Sequence, residues 1–230
     1  MKSKAKLDYA DVKPDVYITR GKLYNGNAQN LTLYCPLALE MFELLHEKTS
    51  AIVNLTEEEF SYFKTLFLTK NLRKRHYLLQ QGDVGKYQVF VEKGILRSYT
   101  VDEKSNEHVL QFASEGWWLA DLSSYLNNEP SFLNIDSIED TELLMIDKDS
   151  WELAMKKIPK LEHYFRIIIQ NHLVATQKRL LQSFSETAEE KYLRFRHTFS
   201  NCEQRIPLYM IASYLGIKRE TLSRLRKQIM

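Results

Sequence analysis

Cysteine is scarce in this sequence, and its scarcity excludes several kinds of metal site. The 230 residues include two cysteines, Cys35 and Cys202, which lie too far apart to form a CxxC pair. Structural zinc sites and iron–sulfur clusters need about four clustered ligands, which this pattern does not offer. We therefore expect two isolated, reduced thiols and no metal or other cofactor.

Long apolar runs are missing as well. No segment approaches the run of about 18 apolar residues that marks a membrane span. The N-terminal sequence, MKSKAKLDYADVK, has no apolar core of the kind that signal peptides carry. These two absences predict a cytoplasmic protein with no membrane contact.

The sequence also lacks the motifs by which many enzyme active sites are identified. It contains no recognisable Ser/His/Asp constellation, no phosphate-binding glycine loop and no paired carboxylates in a known motif. We therefore predict no catalytic residues and a protein that is not an enzyme.

The most informative stretch that is present runs from Pro207 to Gln228 and reads PLYMIASYLGIKRETLSRLRKQ. Two short helical patterns meet at Gly216, a residue that can adopt the positive φ angle required by a tight turn. Ala212 provides a small side chain where a second helix would cross the first, and Leu222 and Leu225 lie three apart on one face. Any helical bundle can contain two helices joined by a glycine, but this register favours a helix-turn-helix.

The outer face of the second predicted helix is polar and largely basic. Its side chains suit base edges and phosphates; they belong to Lys218, Arg219, Glu220, Ser223, Arg224 and Lys227. Residues 191–230 contain nine Lys or Arg and two Glu, a net charge of +7, in a chain whose net charge is +2. A basic helix face is often merely solvated, but charge concentrated at one end predicts binding to double-stranded DNA.

The N-terminal 40 residues differ from the rest of the chain. Residues 1–40 show no sustained helical or strand periodicity. This predicts a poorly ordered extension, or a segment upstream of a natural start at Met41, where an amphipathic pattern begins.

The pattern of residues 41–158 predicts a single small domain that is largely β. Two helices, over 41–50 and 54–67, precede short strands with turn signals between 77 and 147, and a short helix follows over 148–157. Strands at this spacing predict an antiparallel sandwich or roll, because each strand must close against others.

One long helix is predicted within residues 159–185, and it carries apolar residues on two sides. Ile167, Val174 and Leu181 recur at seven-residue intervals on one side, and Leu161 and Phe165 lie on the other. One side can pack on the β roll, and the other either packs on a copy of the chain, giving a homodimer, or belongs to the core of a monomer. The final part, residues 186–230, holds the predicted DNA-binding domain.

This order of a small β roll, a long helix and a C-terminal helix-turn-helix resembles the Crp/Fnr family of bacterial transcription regulators. The resemblance extends over about Met41 to Met230 and is most specific in LGIKRETLSRLRK. It implies an α+β fold in which an antiparallel jelly roll of the cyclic-nucleotide-binding type precedes a dimerisation helix and a helix-turn-helix domain. It also implies a homodimeric transcription regulator that binds a palindromic operator, with RNA polymerase as a possible further partner. The chain stops without the β wing of many members, which is similar to a branch common in Bacteroidetes.

The resemblance assigns roles to the residues of the recognition helix. Glu220 would accept a hydrogen bond from a cytosine amino group, and Arg224 would bond guanine. Ser223 would touch a base or a phosphate. Lys218 stands where Ser or Thr often caps this helix, which favours a phosphate contact.

The effector pocket departs from the pattern of nucleotide-binding members. Those members hold the ribose with a Gly-Glu pair and the cyclic phosphate with an Arg followed by a small hydroxyl residue. Here the corresponding residues are Ala120 and Asp121, then Ser131 and Phe132, so no arginine is present to pair a phosphate. We therefore expect an apolar or vestigial pocket that does not bind cyclic AMP, lined by Trp117, Trp118, Asp121 and Phe132. The aromatic residues could equally be plain core.

One alternative function remains open at this point. A ligand-binding regulatory module could act by docking another protein without contacting DNA. The basic C-terminal end and the presence of Glu220, Ser223 and Arg224 favour DNA. The sequence does not identify the effector, the target genes or the direction of regulation.

Overall fold

A computed structural model of the protein describes residues 41–229 and the backbone of three short strands nearer the N-terminus. These strands, β1 (Tyr17–Thr19), β2 (Lys22–Tyr24) and β3 (Asn30–Leu31), pair antiparallel in a small sheet. No regular element was predicted in this region. The other residues of 1–40 lie outside the described part of the chain, so the predicted poor order of the extension stays a prediction.

The predicted β roll is built from two four-stranded antiparallel sheets. Its strands are β4 (Leu68–Leu72), β5 (Tyr77–Leu79), β6 (Tyr87–Lys93), β7 (Leu96–Val101), β8 (Glu107–Ala113), β9 (Trp118–Leu119), β10 (Asn134–Ser137) and β11 (Thr141–Asp147). The strand orders are β5-β10-β7-β8 and β4-β11-β6-β9. β4 was not predicted because its sequence, LTKNL, holds only two apolar residues and gives no clear alternation.

The helices of the described residues mostly follow the predicted pattern. They are α1 (Glu43–Ser50), α2 (Glu57–Lys64), α3 (Leu122–Asn127), α4 (Lys148–Lys157), α5 (Lys160–Ser185), α6 (Ala188–Thr198), α7 (Leu208–Leu215) and α8 (Arg219–Ile229). α2 is shorter than the predicted helix over 54–67, and α3 was not predicted. Thr56 caps α2 and Thr187 caps α6 through complete capping boxes. None of these helices is both long and apolar enough to cross a membrane.

Both faces of the β roll are covered, and this explains why its central strands are apolar at consecutive positions. In β6, Val89 and Val91 point into the space between the sheets, whereas Phe90 points outward to a core formed with α1, α2, α4 and the start of α5. β11 alternates in the same way, with Leu143 inside and Leu144 outside. Each of these two strands therefore contributes apolar side chains to two cores, one on each face of its sheet. For this reason its sequence does not alternate between apolar and polar residues.

The outer face of the other sheet carries the C-terminal domain. Ile95, Tyr99 and Phe112 of the roll share a buried cluster with Phe195 of α6 and Ile211 of α7. We call this cluster the docking core. The helix-turn-helix is thus packed against the roll rather than tethered beside it.

The long helix α5 is buried only near its start. Leu161, Tyr164 and Phe165 are buried, but beyond Ile168 the apolar side chains face solvent. The exposed ones are Ile169, Leu173, Val174, Leu180, Leu181 and Phe184, with exposed fractions between 47% and 81%. At 3.6 residues per turn they fall within an arc of about 140°. The alternative in which this side belongs to the core of a monomer is therefore wrong.

Candidate nucleic-acid interface

The helix-turn-helix is formed by α7, the turn at Gly216 and α8. Gly216 has φ +66°, the left-handed conformation predicted from the sequence, and its N–H donates to the carbonyl oxygen of Ser213. Ala212 is 2% exposed and Leu222 is fully buried, so α8 lies against α7 through these small and apolar side chains. The packing fixes which face of α8 is left for solvent.

That solvent face holds the residues that the sequence singled out. Lys218, Arg219, Glu220, Arg224 and Lys227 are exposed, and Ser223 is partly exposed. The structure brings all six to the beginning and the outer side of α8. In the described part of the chain none of the six takes part in an ion pair. Their charge is therefore free to meet an external polyanion.

Other basic residues of the C-terminal end serve internal contacts instead. Arg194 pairs with Glu186 at 2.5 Å, and Arg196 pairs with Glu203 at 3.3 Å. These pairs show that the net charge of +7 overstates the charge available to DNA. The unpaired charge is concentrated on α8.

Arg205 joins the two domains through two carboxylates. Its guanidinium lies 2.7 Å from Glu115 and 2.5 Å from Glu139, both on the β roll. Burial acts to raise the pKa of Glu115, but the hydrogen bonds from Arg205 and from backbone N–H groups, together with the charge of Arg205, outweigh it, so the pKa lies below its usual value. Arg205 contributes to the net charge of +7 at the C-terminal end, but the structure places it in the domain interface rather than on a DNA-facing surface.

Ser213 provides a second polar link between the domains. Its hydroxyl accepts from the N–H of Val109 at 3.0 Å and donates to the carbonyl oxygen of Glu107 at 2.5 Å. Both partners belong to β8. An α7 side chain thus hydrogen-bonds to the backbone of β8, which lies at the edge of its sheet.

Aromatic side chains complete the interface. Phe112 of β8 has its ring centroid within 6.0 Å of those of Phe195, Phe199 and Tyr214. Trp117 stacks on Phe199 with centroids 5.6 Å apart. Such pairs add about 0.5–1.5 kcal/mol each beyond the area they bury. The sequence offered no signal for this docking, because its members are separated by many residues along the chain.

A buried arginine, Arg97, lies beneath this interface. It is 4% exposed and bonds Asp136 at 2.7 and 2.9 Å, with Glu107 at 2.5 Å. Burial acts to lower the pKa of Arg97, but the hydrogen bonds to Asp136 and Glu107 raise it above its usual value. The guanidinium of Arg97 thus donates to the carboxylates of both Asp136 and Glu107, and these internal ion pairs compete with any external anion.

The four residues of the predicted effector pocket are not brought together. Trp117 faces the docking core, whereas Trp118 lies among the helices and donates to the hydroxyl of Tyr164 at 3.1 Å. Phe132 is 70% exposed. The two tryptophans are neighbours on one extended segment and so point to opposite faces. Their role as an effector pocket stays a prediction.

Asp121 is held by its own loop. Its carboxylate accepts from the N–H of Ser124 at 3.2 Å, which caps α3, and from the hydroxyl of Ser131 at 2.6 Å. Both Asp121 and Ser131 are buried. Asp121 and Ser131, which the family resemblance predicts at the ribose and phosphate positions, therefore hydrogen-bond to each other.

Comparison with known proteins places the chain among regulators. Residues 69–157 match the cyclic nucleotide-binding domain family. The regulatory protein HlyX of Actinobacillus pleuropneumoniae is 26% identical over 185 residues, which cover 74% of this chain and 75% of HlyX. The anaerobic regulatory protein of Haemophilus influenzae is 25% identical over 183 residues, covering 74% of this chain and 70% of the relative.

Solved structures agree on the fold. FixK2 from Bradyrhizobium japonicum superposes with a TM-score of 0.63 at 19% identity, covering 71% of this chain and 84% of FixK2. A putative transcriptional regulator of the Crp/Fnr family from Eubacterium rectale gives a TM-score of 0.59 at 17% identity, covering 82% and 87% of the two chains. The roll, the long helix and the sequence relatives all point to one family. The chain is thus similar to Crp/Fnr transcription regulators in both sequence and fold.

Proposed function

We propose that this chain is a homodimeric transcription regulator whose helix α8 reads a palindromic operator. The observation that carries the proposal is the outer face of α8, which is basic, exposed and without internal ion pairs in the described residues. Leu222 holds the opposite face against α7, so the helix can project as a unit.

Base reading is assigned to residues that share one side of α8. Glu220 and Arg224 lie four apart, hence one turn apart on the same face. Arg224 suits the O6 and N7 acceptors of guanine, and Glu220 suits the amino group of cytosine. Ser223 lies beside them. Lys218, Arg219 and Lys227 are assigned to phosphates, where they add affinity without selecting sequence.

The dimer is assigned to the exposed apolar side of α5. Two copies of this side would bury side chains such as Leu173 and Leu181, which are 55% and 68% exposed in the single chain. A two-fold axis along α5 would also present two copies of α8, and such pairs bind half-sites about one helical turn apart.

A cyclic nucleotide is not the proposed effector. Ser131, the residue that the resemblance predicts at the phosphate position, is uncharged, and its hydroxyl already donates to Asp121. It therefore offers no cation to a phosphate. Arg97, a buried cation of the roll, is already paired with Asp136 and Glu107. We expect cyclic AMP and cyclic GMP to bind no tighter than about 1 mM. Calorimetry with each nucleotide checks this, and a micromolar dissociation constant would contradict it.

The proposal assigns no catalytic activity, and it places the protein in the cytoplasm with its DNA. Genome-wide mapping of bound sites, followed by titration of the recovered operator against scrambled DNA, tests it. Specific binding to a two-fold symmetric sequence is the expected result. Failure to prefer any sequence would favour the alternative, a regulatory module that docks another protein.

A further inference from the structure

A cavity of about 570 Å³ opens where α5, β8 and the helix-turn-helix domain meet. Its walls come from the C-terminal half of α5, from Val109 and Leu110 of β8, from α6, and from residues 213–216 of α7 and the turn. We call it the junction cavity. Its volume is within the range of about 300–1,000 Å³ typical of small-molecule sites.

The inner surface of the junction cavity is mainly apolar. Its apolar contributors include Val109, Leu180, Phe195, Phe199 and Leu215. Four of these, Val109, Phe195, Phe199 and Leu215, belong to the docking core, so the cavity extends directly from packed structure. A ligand placed here would bury part of its apolar surface against these walls, and about 25 cal/mol is gained per Å² of apolar surface buried.

Two cations line the same cavity without a carboxylate partner in the described residues. The guanidinium of Arg179 lies 4.9 Å from the ring centroid of Tyr214 and donates to the carbonyl oxygen of Leu110. Lys191 donates to the carbonyl oxygen of Ser183 at 3.0 Å. Arg194, the third cation of the lining, is neutralised by Glu186. The cavity therefore combines an apolar interior with an excess of positive charge.

We propose that the junction cavity binds an amphipathic anion, a small molecule with an apolar body and one carboxylate, and that its occupancy changes DNA affinity. The apolar walls would take the body, and Arg179 and Lys191 would hold the carboxylate by charge-assisted hydrogen bonds. The site is separate from Asp121 and Ser131, which do not line it.

The effect on DNA follows from which elements form the walls. A ligand in the junction cavity would touch α5, β8 and the turn at Gly216 together, so it would bind only one placement of α8 relative to the roll. This second half of the proposal rests on the proposed function, whereas the binding itself does not.

Octanoate is the probe, with octan-1-ol as the uncharged control of the same chain length. Calorimetry on the full chain, below micelle-forming concentrations, should give a dissociation constant below about 1 mM for octanoate. Arg179→Met and Lys191→Met should each weaken octanoate binding about tenfold and leave octan-1-ol binding little changed. Lys178→Met is the matched control, because Lys178 is exposed on α5 and does not line the cavity.

Several outcomes would overturn the proposed site. The first is no octanoate binding at concentrations up to about 10 mM. The second is that Lys178→Met weakens octanoate binding as much as the cavity variants do. The third is unchanged octanoate binding in both cavity variants. Thr198→Trp provides an independent check, since Thr198 is an exposed lining residue and a bulky side chain there fills the cavity from its rim. It should abolish octanoate binding with the unfolding midpoint preserved, and retained binding would contradict the location.

Coupling to DNA is measured separately. Saturating octanoate should change the operator affinity of the wild type by at least about fivefold and leave that of Arg179→Met unchanged. If octanoate binds but operator affinity stays constant, the regulatory half is refuted. If the protein binds no operator in any state, the proposed function has failed, and the calorimetric result still decides the binding half.

Discussion

Replacing Arg97 by methionine tests the buried ion network beneath the domain interface. Arg97 and Asp136 are 4% and 7% exposed, so methionine would leave the Asp136 carboxylate buried without its cation. Breaking a buried pair in this way costs about 3–5 kcal/mol. Glu107 adds little to this figure, because its side chain is 37% exposed and water can replace the lost contact.

Urea unfolding at neutral pH measures the loss. Arg97→Met should lower the urea midpoint while leaving the slope unchanged. Arg166→Met, a change of the same type at an exposed position on α5, should stay within about 0.5 kcal/mol of the wild type. The double variant Arg97→Met with Asp136→Leu should recover most of the loss, because it removes the orphaned charge. A loss below about 1 kcal/mol in Arg97→Met would refute the buried-pair reasoning.

Two further predictions concern the N-terminal helices and the dimer. Burial raises the pKa of Glu92 to about 7, although its carboxylate accepts from the N–H of Leu45 at 3.2 Å. Because the folded-state pKa exceeds the unfolded value, the stability from Glu92 is complete below about pH 4.5 and is lost as the pH rises through about 7. Glu92→Gln should therefore stabilise the protein at pH 8 by about 1–2 kcal/mol, after allowance for residual solvent contact. Urea unfolding should show no such gain at pH 4.5. A loss of stability at pH 8 would contradict this reasoning. Leu173→Glu with Leu181→Glu should convert the dimer to a monomer in light scattering, whereas Asn171→Glu, exposed on α5 outside the apolar arc, should not. A dimer that persists in the double variant would place the interface elsewhere.

Local signals predicted much of the fold. The turn at Gly216 needs only a residue that tolerates positive φ, and the caps at Thr56 and Thr187 need only a partner three residues on. Both can be identified within one short window of sequence. The long helix was also predicted correctly, because its apolar spacing is regular over many turns.

Long-range contacts were not predictable from one sequence. Phe112 meets Tyr214, and Arg205 meets Glu115, across about a hundred residues of intervening chain. No periodicity records which distant residues will meet. The net charge of the C-terminal end can be counted from the sequence. Only the structure shows that Arg205 pairs with carboxylates of the roll, whereas the cations of α8 form no ion pair within the described residues.

The candidate site, like the fold, was predictable where it depends on local sequence and not where it depends on distant residues. The exposed face of α8 follows from helix periodicity, so the exposure of its residues could be predicted, whereas their contacts with DNA stay a prediction. The predicted effector pocket relied on side chains that lie close in sequence, and Trp117 and Trp118 are adjacent yet point to different cores. The junction cavity has walls from four elements, and no single stretch could have indicated it.

The most direct test of DNA reading compares Arg224→Ala with Lys227→Ala on operator and scrambled DNA at several salt concentrations. A bidentate arginine–guanine contact is worth about 1–3 kcal/mol of discrimination, whereas a lysine on phosphate acts on every sequence alike. Arg224→Ala should weaken operator binding by roughly tenfold or more and leave scrambled DNA much less affected. Lys227→Ala should weaken both DNAs together and flatten the salt dependence. Equal weakening of both DNAs by Arg224→Ala would contradict base reading by α8.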